Sequence, residues 1–198
     1  MINAGAITAH SLVGEPDTAP HERVERIIRL LSDLAGRELS VDEDVWRSEV
    51  ATADRNLAIA HMLRSHGILT DSAVEVVSAY SRQCAVLVTA RDLALMAATL
   101  ANGGVQPVTG KQVFTGAQVR HVMSVMLTCG MYDSAGDWVS SVGIPAKSGV
   151  GGGIIGALAG QAGLATFAPP LDAHGNSVRG VETFGRLSRD TGMHLMKV

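Results

Sequence analysis

Pro145-Ala146-Lys147-Ser148-Gly149-Val150-Gly151-Gly152-Gly153-Ile154 places a lysine, a hydroxyl and four glycines in the seven residues from Lys147. Lys147 brings a point charge and three donors. The glycines let a ligand approach backbone N–H groups, which suits an anion or oxyanion site. Gly149 to Ala168 is uncharged and long enough to suggest a membrane span. Its Gly149/Gly153 and Gly152/Gly156/Gly160 spacings are of the helix-pairing kind. Seven glycines, Gln161 and the closing Pro169-Pro170 weigh against that. Gly151-x-Gly153-x-x-Gly156 matches a dinucleotide fingerprint, but that motif must open a helix, and Gly156, Gly160 and Gly163 make a poor one. A hairpin fits better: Ile154 to Ala159 and Leu164 to Ala168 as strands, Gly160-Gln161-Ala162-Gly163 as the turn. Two readings of this hairpin stay open, an active-site edge beside Lys-Ser-Gly or a tightly packed structural element.

Just upstream stands Cys129-Gly130-Met131-Tyr132-Asp133. Before it, Thr115-x-x-Gln118 is a capping box, and Val119, Val122, Met123, Met126 and Leu127 form an apolar stripe. That helix delivers Tyr132 toward the lysine strand, and a tyrosine meeting Lys-Ser-Gly there can serve acid–base chemistry.

Composition bounds the rest. The chain has 198 residues, 46% hydrophobic and 18% charged, as expected of one globular domain or a large piece of one. A net charge of -3 argues against an electrostatic nucleic-acid binder. Two cysteines, Cys84 and Cys129, form no framework of bridges, so a reducing cytoplasm is expected. No basic stretch precedes the first apolar residues, so no secretory leader is expected. The seven histidines are scattered without metal-ligand spacing, and no metal is expected.

Met1-Ile2-Asn3-Ala4-Gly5-Ala6-Ile7 is apolar where a free terminus is usually polar. Asn3 there is either satisfied by backbone or a ligand-facing amide. Val24, Ile27, Ile28, Leu31 and Leu34 predict an amphipathic helix. Ser40-x-x-Glu43 reads as a capping box opening a helix that runs past Trp46 and Ile59 to a stop at Gly67. On that one helix Glu49 and Asn56, seven apart, share a face and could hold an ammonium and a carboxylate; an exposed, salt-bridged helix is the plainer reading. Asp71 is expected to cap the next helix, with Tyr80 and Cys84 on its stripe, in core or facing a pocket. Thr89 caps another, ended by Asn102-Gly103-Gly104. Val105 to Phe114 is a loop or small hairpin. After Pro169-Pro170-Leu171-Asp172, a rigid turn, Asn176 caps a last helix that Gly192 ends. About six helices and two or three late antiparallel strands result, a thin sheet that needs strands from elsewhere.

Taken in order, Ile2-Asn3-Ala4-Gly5-Ala6-Ile7, Ser48-Glu49, Asp54-Arg55-Asn56, Tyr80-x-x-x-Cys84, Met96 to Gly104, Cys129 to Asp133, Pro145 to Val150 and Pro169 to Asp172 resemble the serine-dependent glutaminases. The resemblance covers essentially the whole chain. It implies an α+β fold of the β-lactamase and penicillin-binding-protein kind. It also implies hydrolysis of L-glutamine to L-glutamate and ammonia through a serine acyl-enzyme, without a cofactor. The family's substrate-binding positions match Asn3, Glu49, Asn56, Tyr80, Tyr132 and the backbone of Val150. Glu49 can pair the α-ammonium; Asn3, Asn56 and Tyr80 can hydrogen-bond the amino-acid end; Val150 N–H can help form an oxyanion hole. Tyr132 and Lys147 are the candidates for proton transfer, Lys147-Ser148-Gly149 resembling the family fold's Lys-Thr-Gly edge motif. A homodimer or homotetramer is implied in the same way.

The family's nucleophile sits in Ser-x-x-Lys, and no such tetrapeptide occurs in these 198 residues. In the family that segment and the first strands precede the Asn3 motif. Residues 1–198 are therefore expected to be the C-terminal two-thirds of a catalytic domain, inactive or impaired alone, with apolar sheet surface uncovered. The alternative is a remnant that keeps glutamine binding or an oligomer surface without catalysis. A penicillin-interactive relative is disfavoured by Glu49 and Asn56, which suit a free amino acid.

Overall fold

In the computed structural model residues 2–196 are described; Met1 of the apolar opening lies outside them. They form two compact units, residues up to Ser32 with Glu38–Leu87, and Asp33–Arg37 with the chain from Val88.

The first unit is helical. Helix α1 (Asn3–Ser11), most of α2 (Pro20–Ala35), α3 (Glu43–Ala51), α4 (Asp54–Ser65) and α5 (Ala73–Cys84) follow in order. Ile7, Ala60, Leu69, Val76 and Val77 make its core, with Leu57, Leu63 and Tyr80 packed alongside. Each large aliphatic side chain buried there contributes about 1.5–3 kcal/mol. Arg23, almost fully buried, donates to Asp71 at 2.5 Å. A single guanidinium held this way needs its carboxylate, because an unpaired buried charge is strongly destabilising.

Three expectations for this unit are corrected. The helix from Ser40 to Gly67 is two helices: Thr52 turns its hydroxyl back onto the Ser48 carbonyl, and Ala53 is buried as the cap of α4. Glu49 and Asn56 thus stand on different helices, and the shared face drawn from their spacing does not exist. The cap of α3 is Asp42, not Ser40; its carboxylate accepts from the N–H groups of Asp44 and Val45. Asp71 is not the cap of α5. Ser72 occupies that position, and Asp71 is taken by Arg23.

The second unit is α+β. It holds α6 (Ala90–Ala101), α7 (Gly116–Cys129), a short 3-10 turn (Tyr132–Ser134), α8 (Ala135–Ser141), β1 (Ala146–Ser148), β2 (Gly153–Leu158), β3 (Ala162–Phe167) and α9 (Val178–Thr191). The strands are antiparallel in the order β1-β2-β3, with Lys147 opposite Ile155 and Ala157 opposite Gly163. The hairpin reading of the glycine-rich stretch therefore holds, with a tighter turn than expected: Ala162 and Gly163 pair with Leu158 and Ala157 inside the ladder. No helix among the described residues is long and apolar enough to cross a membrane. Alternation along β2 sends Ile154 toward Trp138, Ile144 and Phe184 under α9, and Ala157 toward Ala97, Leu100 and Met126 of α6 and α7.

The capping box expected at Thr115 and Gln118 forms, and the cap expected at Thr89 proves to be a capping box with Asp92. Val105 bridges Gln112, so the segment after α6 is a small hairpin. The cap of α9 is Ser177 rather than Asn176, and Gly192 closes that helix in the left-handed region. Nine α-helices stand among the described residues against about six expected. The difference is the α3/α4 break plus α1 and α8, whose runs of small residues carry no strong apolar stripe.

Candidate active site

Gly130 decides how Tyr132 meets the lysine strand. Ser148 N–H donates to the Gly130 carbonyl at 3.1 Å, so the end of α7 lies along β1. A Cβ on Gly130 would sit 1.7 Å from the Ala146 carbonyl oxygen, so only glycine permits this approach. Met131 is then buried, and Tyr132 follows with φ of 55°, the only non-glycine residue at positive φ among those described. A bulky residue there is strained by about 1–3 kcal/mol and persists only where its surroundings over-determine it.

Three groups converge on the Tyr132 side chain. The Lys147 ammonium lies 4.5 Å from its ring centroid. The Val150 backbone N–H lies on the phenolic side of the ring, near enough to favour the ionised phenol. Gly175 backs the ring, since a Cβ there would touch Cε2 at 3.7 Å and Val150 Cγ1 at 3.8 Å. Burial pushes the Tyr132 phenol above its ordinary value, and the backbone N–H of Val150 works against that. Burial pulls the Lys147 ammonium below its ordinary value, opposed by the nearby Cys129 thiol. Lys147 Nζ also donates to the Ser148 carbonyl. The phenol and the amine, two groups able to carry protons, are thus brought to one place, with Nζ over the face of the ring.

Val150 is delivered by the glycine turn. Gly149 N–H donates to the Gly153 carbonyl and Gly152 N–H to the Gly149 carbonyl, both at 2.9 Å. Gly152 has φ of 94° and abuts the Ala168-Pro169 backbone, which excludes any side chain. The Ser148 hydroxyl is buried without a hydrogen-bond partner among the described residues.

In the first unit Asn3 Nδ2 donates to Asn56 Oδ1 at 2.8 Å. Both amides are accessible, Asn3 exposed and Asn56 partly so. Asn3 is thus paired with a side chain, not with backbone. Glu49 is exposed on α3, and its charge acts on the Cys84 thiol. That thiol is pushed up by desolvation, while a hydrogen bond with Tyr80 pulls it back. Tyr80 lies half-buried at the edge of the core, its ring edge-on to His10 at 6.4 Å between centroids. The structure thus joins Asn3 with Asn56, Tyr80 with Cys84, and Tyr132 with Lys147 and Val150, while Glu49 acts on Cys84 through its charge. Among the described residues no group of three or more His, Cys, Asp or Glu side chains could hold a metal.

Sequence reasoning missed two features. His10 is buried, shares a 2.7 Å hydrogen bond with Gln83, and has its pKa lowered by desolvation. The loop from Asp172 to Asn176 folds onto the Tyr132 turn. The signal available for it was Asp172-x-x-Gly175-Asn176, a turn pattern read only as a rigid link and a cap.

A helix-rich α+β unit with a lysine on an edge strand and a glycine turn presenting a backbone N–H is β-lactamase-like in kind. Comparison with known proteins makes this specific. The chain belongs to the glutaminase family, whose model matches residues 1–196. It is 56% identical over 196 residues to a glutaminase of Corynebacterium glutamicum, covering 99% of this chain and 48% of that protein. With a glutaminase of Microcystis aeruginosa the identity is 47% over 198 residues, covering 58% of the relative. Among solved structures, Mglu in its glutamate form superposes with a TM-score of 0.96 at 53% identity, covering all of this chain and 45% of Mglu. A Bacillus subtilis glutaminase in covalent complex with 5-oxo-L-norleucine superposes at 0.93 with 32% identity, covering 98% and 69%. The chain spans about half the length of the first two curated relatives it matches.

Proposed function

We propose that residues 1–198 are part of the catalytic domain of a glutaminase that hydrolyses L-glutamine to L-glutamate and ammonia through a serine acyl-enzyme. The observation that carries this reading is Tyr132, held at positive φ with Lys147 over its ring and Val150 beside it. In this reading Tyr132 and Lys147 move the proton between nucleophile and leaving ammonia. Val150 N–H helps receive the oxyanion. Glu49 pairs the α-ammonium of glutamine; Asn3, Asn56 and Tyr80 hydrogen-bond its amino-acid end. Asn3 and Asn56 support this, because their mutual bond still leaves the Asn3 amide oxygen, the second Asn3 N–H and both Asn56 N–H groups for a ligand. Family membership supports glutamine as substrate, and a neighbour solved in its glutamate form points to the same class of ligand.

The nucleophile of that route is not among these residues, since none of the serines stands three before a lysine. The 198 residues alone are therefore inactive or impaired. This reading includes a cytoplasmic location, which two cysteines without a framework of bridges suit, and a homodimer or homotetramer by family resemblance.

The test is ammonia release from L-glutamine by this chain and by a version extended upstream in its reading frame. Turnover by the extended version alone, reduced at least about 100-fold by Lys147→Met, is the expected result. Serine-dependent turnover by the 198 residues themselves would overturn the assignment. Two inactive proteins, with glutamine still protecting the extended one against heat, would favour a binding module without catalysis.

A further inference from the structure

We propose that the loop Asp172–Asn176 is a clamp that positions Tyr132, with Asn176 as its anchoring residue. This rests on the role given to Tyr132 above. Three consecutive loop residues meet three consecutive residues of the strained turn. His174 Nδ1 lies 2.8 Å from Asp133 Oδ1. Gly175 packs against the Tyr132 ring, and its φ of 88° is what lets the backbone pass so close. Asn176 Nδ2 donates to Ser134 Oγ at 3.0 Å, and that hydroxyl donates in turn to the Met131 carbonyl at 2.7 Å. Met131 and Ser134 flank Tyr132-Asp133, so Asn176 reaches both ends of the turn through one hydroxyl.

The loop is itself rigid. The Asp172 carboxylate accepts from the N–H groups of His174 and Asn176 at 2.9 Å each. Asp172 N–H donates to the Asn176 carbonyl, Leu171 bridges Ser177, and Ser177 Oγ donates to the Ala168 carbonyl at the end of β3. Asn176 is 1% exposed although it sits in a loop. It does not cap α9, which Ser177 does, so helix capping does not account for its burial. A buried amide aimed at the residue after the active-site tyrosine pair is accounted for by positioning.

The charged and titratable groups around the phenol are Lys147 over the ring, Cys129 beside that lysine, and the Asp133–His174 pair. The loop adds none directly at the hydroxyl. Its effect on Tyr132 is therefore to keep the ring buried and aligned rather than to charge it.

Tyr80→Phe leaves Tyr132 as the only tyrosine, since the chain has two. Its tyrosinate absorbance can then be titrated in the 198-residue chain. Asn176→Ala is expected to move the midpoint down toward that of an exposed phenol, because burial is what holds it up. Ser134→Ala breaks the same bond from the partly exposed side and is expected to do the same; it decides the matter if Asn176→Ala does not fold. Thr89→Ala, a loss of cap outside the loop, is expected to lower stability without moving the midpoint. In the extended version Asn176→Ala is expected to lower kcat about 100-fold with KM changed by less than about threefold, the pattern of a misplaced catalytic group. A midpoint unchanged in both Asn176→Ala and Ser134→Ala overturns the clamp. If the extended version releases no ammonia, the glutaminase reading falls, while the titration still decides the clamp.

Discussion

Gly163 lies on β3 opposite Ala157, on the face that α6 covers. An alanine there would put its Cβ 2.0 Å from the Ala98 nitrogen, 2.4 Å from the Ala98 Cα and 2.6 Å from the Ala97 carbonyl carbon. Ordinary contact begins at 3.4 Å, so helix and strand must separate by roughly 1.4 Å, the difference between 3.4 and 2.0. All three atoms are backbone, so no side chain can swing aside. Residues 97, 100 and 101 are buried on this helix and would lose contact with Ala157 as α6 withdrew. Overpacking costs about 1–3 kcal/mol when side chains can adjust, and this site belongs at or above the top of that range. For a chain of this size about 3 kcal/mol is a fall in Tm of roughly 6–12 °C. Gly136 in α8 is the matched opposite: nothing lies within 4 Å of its Cβ position and its φ is ordinary, so Gly136→Ala should stabilise by about 0.5–1 kcal/mol. Chemical denaturation of the two variants beside the parent chain measures both. A Gly163→Ala chain within 1 kcal/mol of the parent would refute the claim that glycine is what lets α6 lie against the sheet.

Further expectations are smaller. Asp92 is buried, receives two hydrogen bonds from Arg37 and caps α6 at Thr89, so Asp92→Ala should cost about 3 kcal/mol at neutral pH. Arg37 holds that carboxyl far below the usual range, so its contribution is present above the ordinary aspartate pKa and is lost as pH falls through the lower folded value; the gap between parent and variant in acid titrations should close in that direction. Thr115→Ala removes one half of the α7 capping box and should cost about 1 kcal/mol in urea unfolding. Glu49→Gln in the extended version should abolish the heat protection given by glutamine while leaving the Tm without ligand within about 1–2 °C, because Glu49 is exposed; unchanged protection would remove Glu49 from the substrate site.

Much of this architecture was legible because it is local chemistry. The hairpin followed from two apolar runs about Gly160, the caps of α6 and α7 from Thr89 and Thr-x-x-Gln, and the stop of α9 from Gly192. Tyr132 and Lys147 were drawn together by their motifs, and the structure joins them. Spacing failed where a tertiary partner overrode it. Glu49 and Asn56 are two helical turns apart only if the helix is continuous, and the burial of Ala53 breaks it. Asp71 is a good cap by type, but the buried Arg23 claims its carboxylate. Asn176 reads as a cap for the same reason, yet its amide is needed 42 positions away at Ser134.

By itself the sequence determined which residues could carry chemistry and which turns and caps had to form, since those rest on side-chain type and on neighbours a few positions away. Only the tertiary structure decided the φ of Tyr132, the burial that shifts Tyr132 and Lys147 in opposite directions, and the loop that backs the tyrosine. Each of these depends on desolvation and close approach between segments distant in the chain, and no local pattern of residues encodes the distance between them.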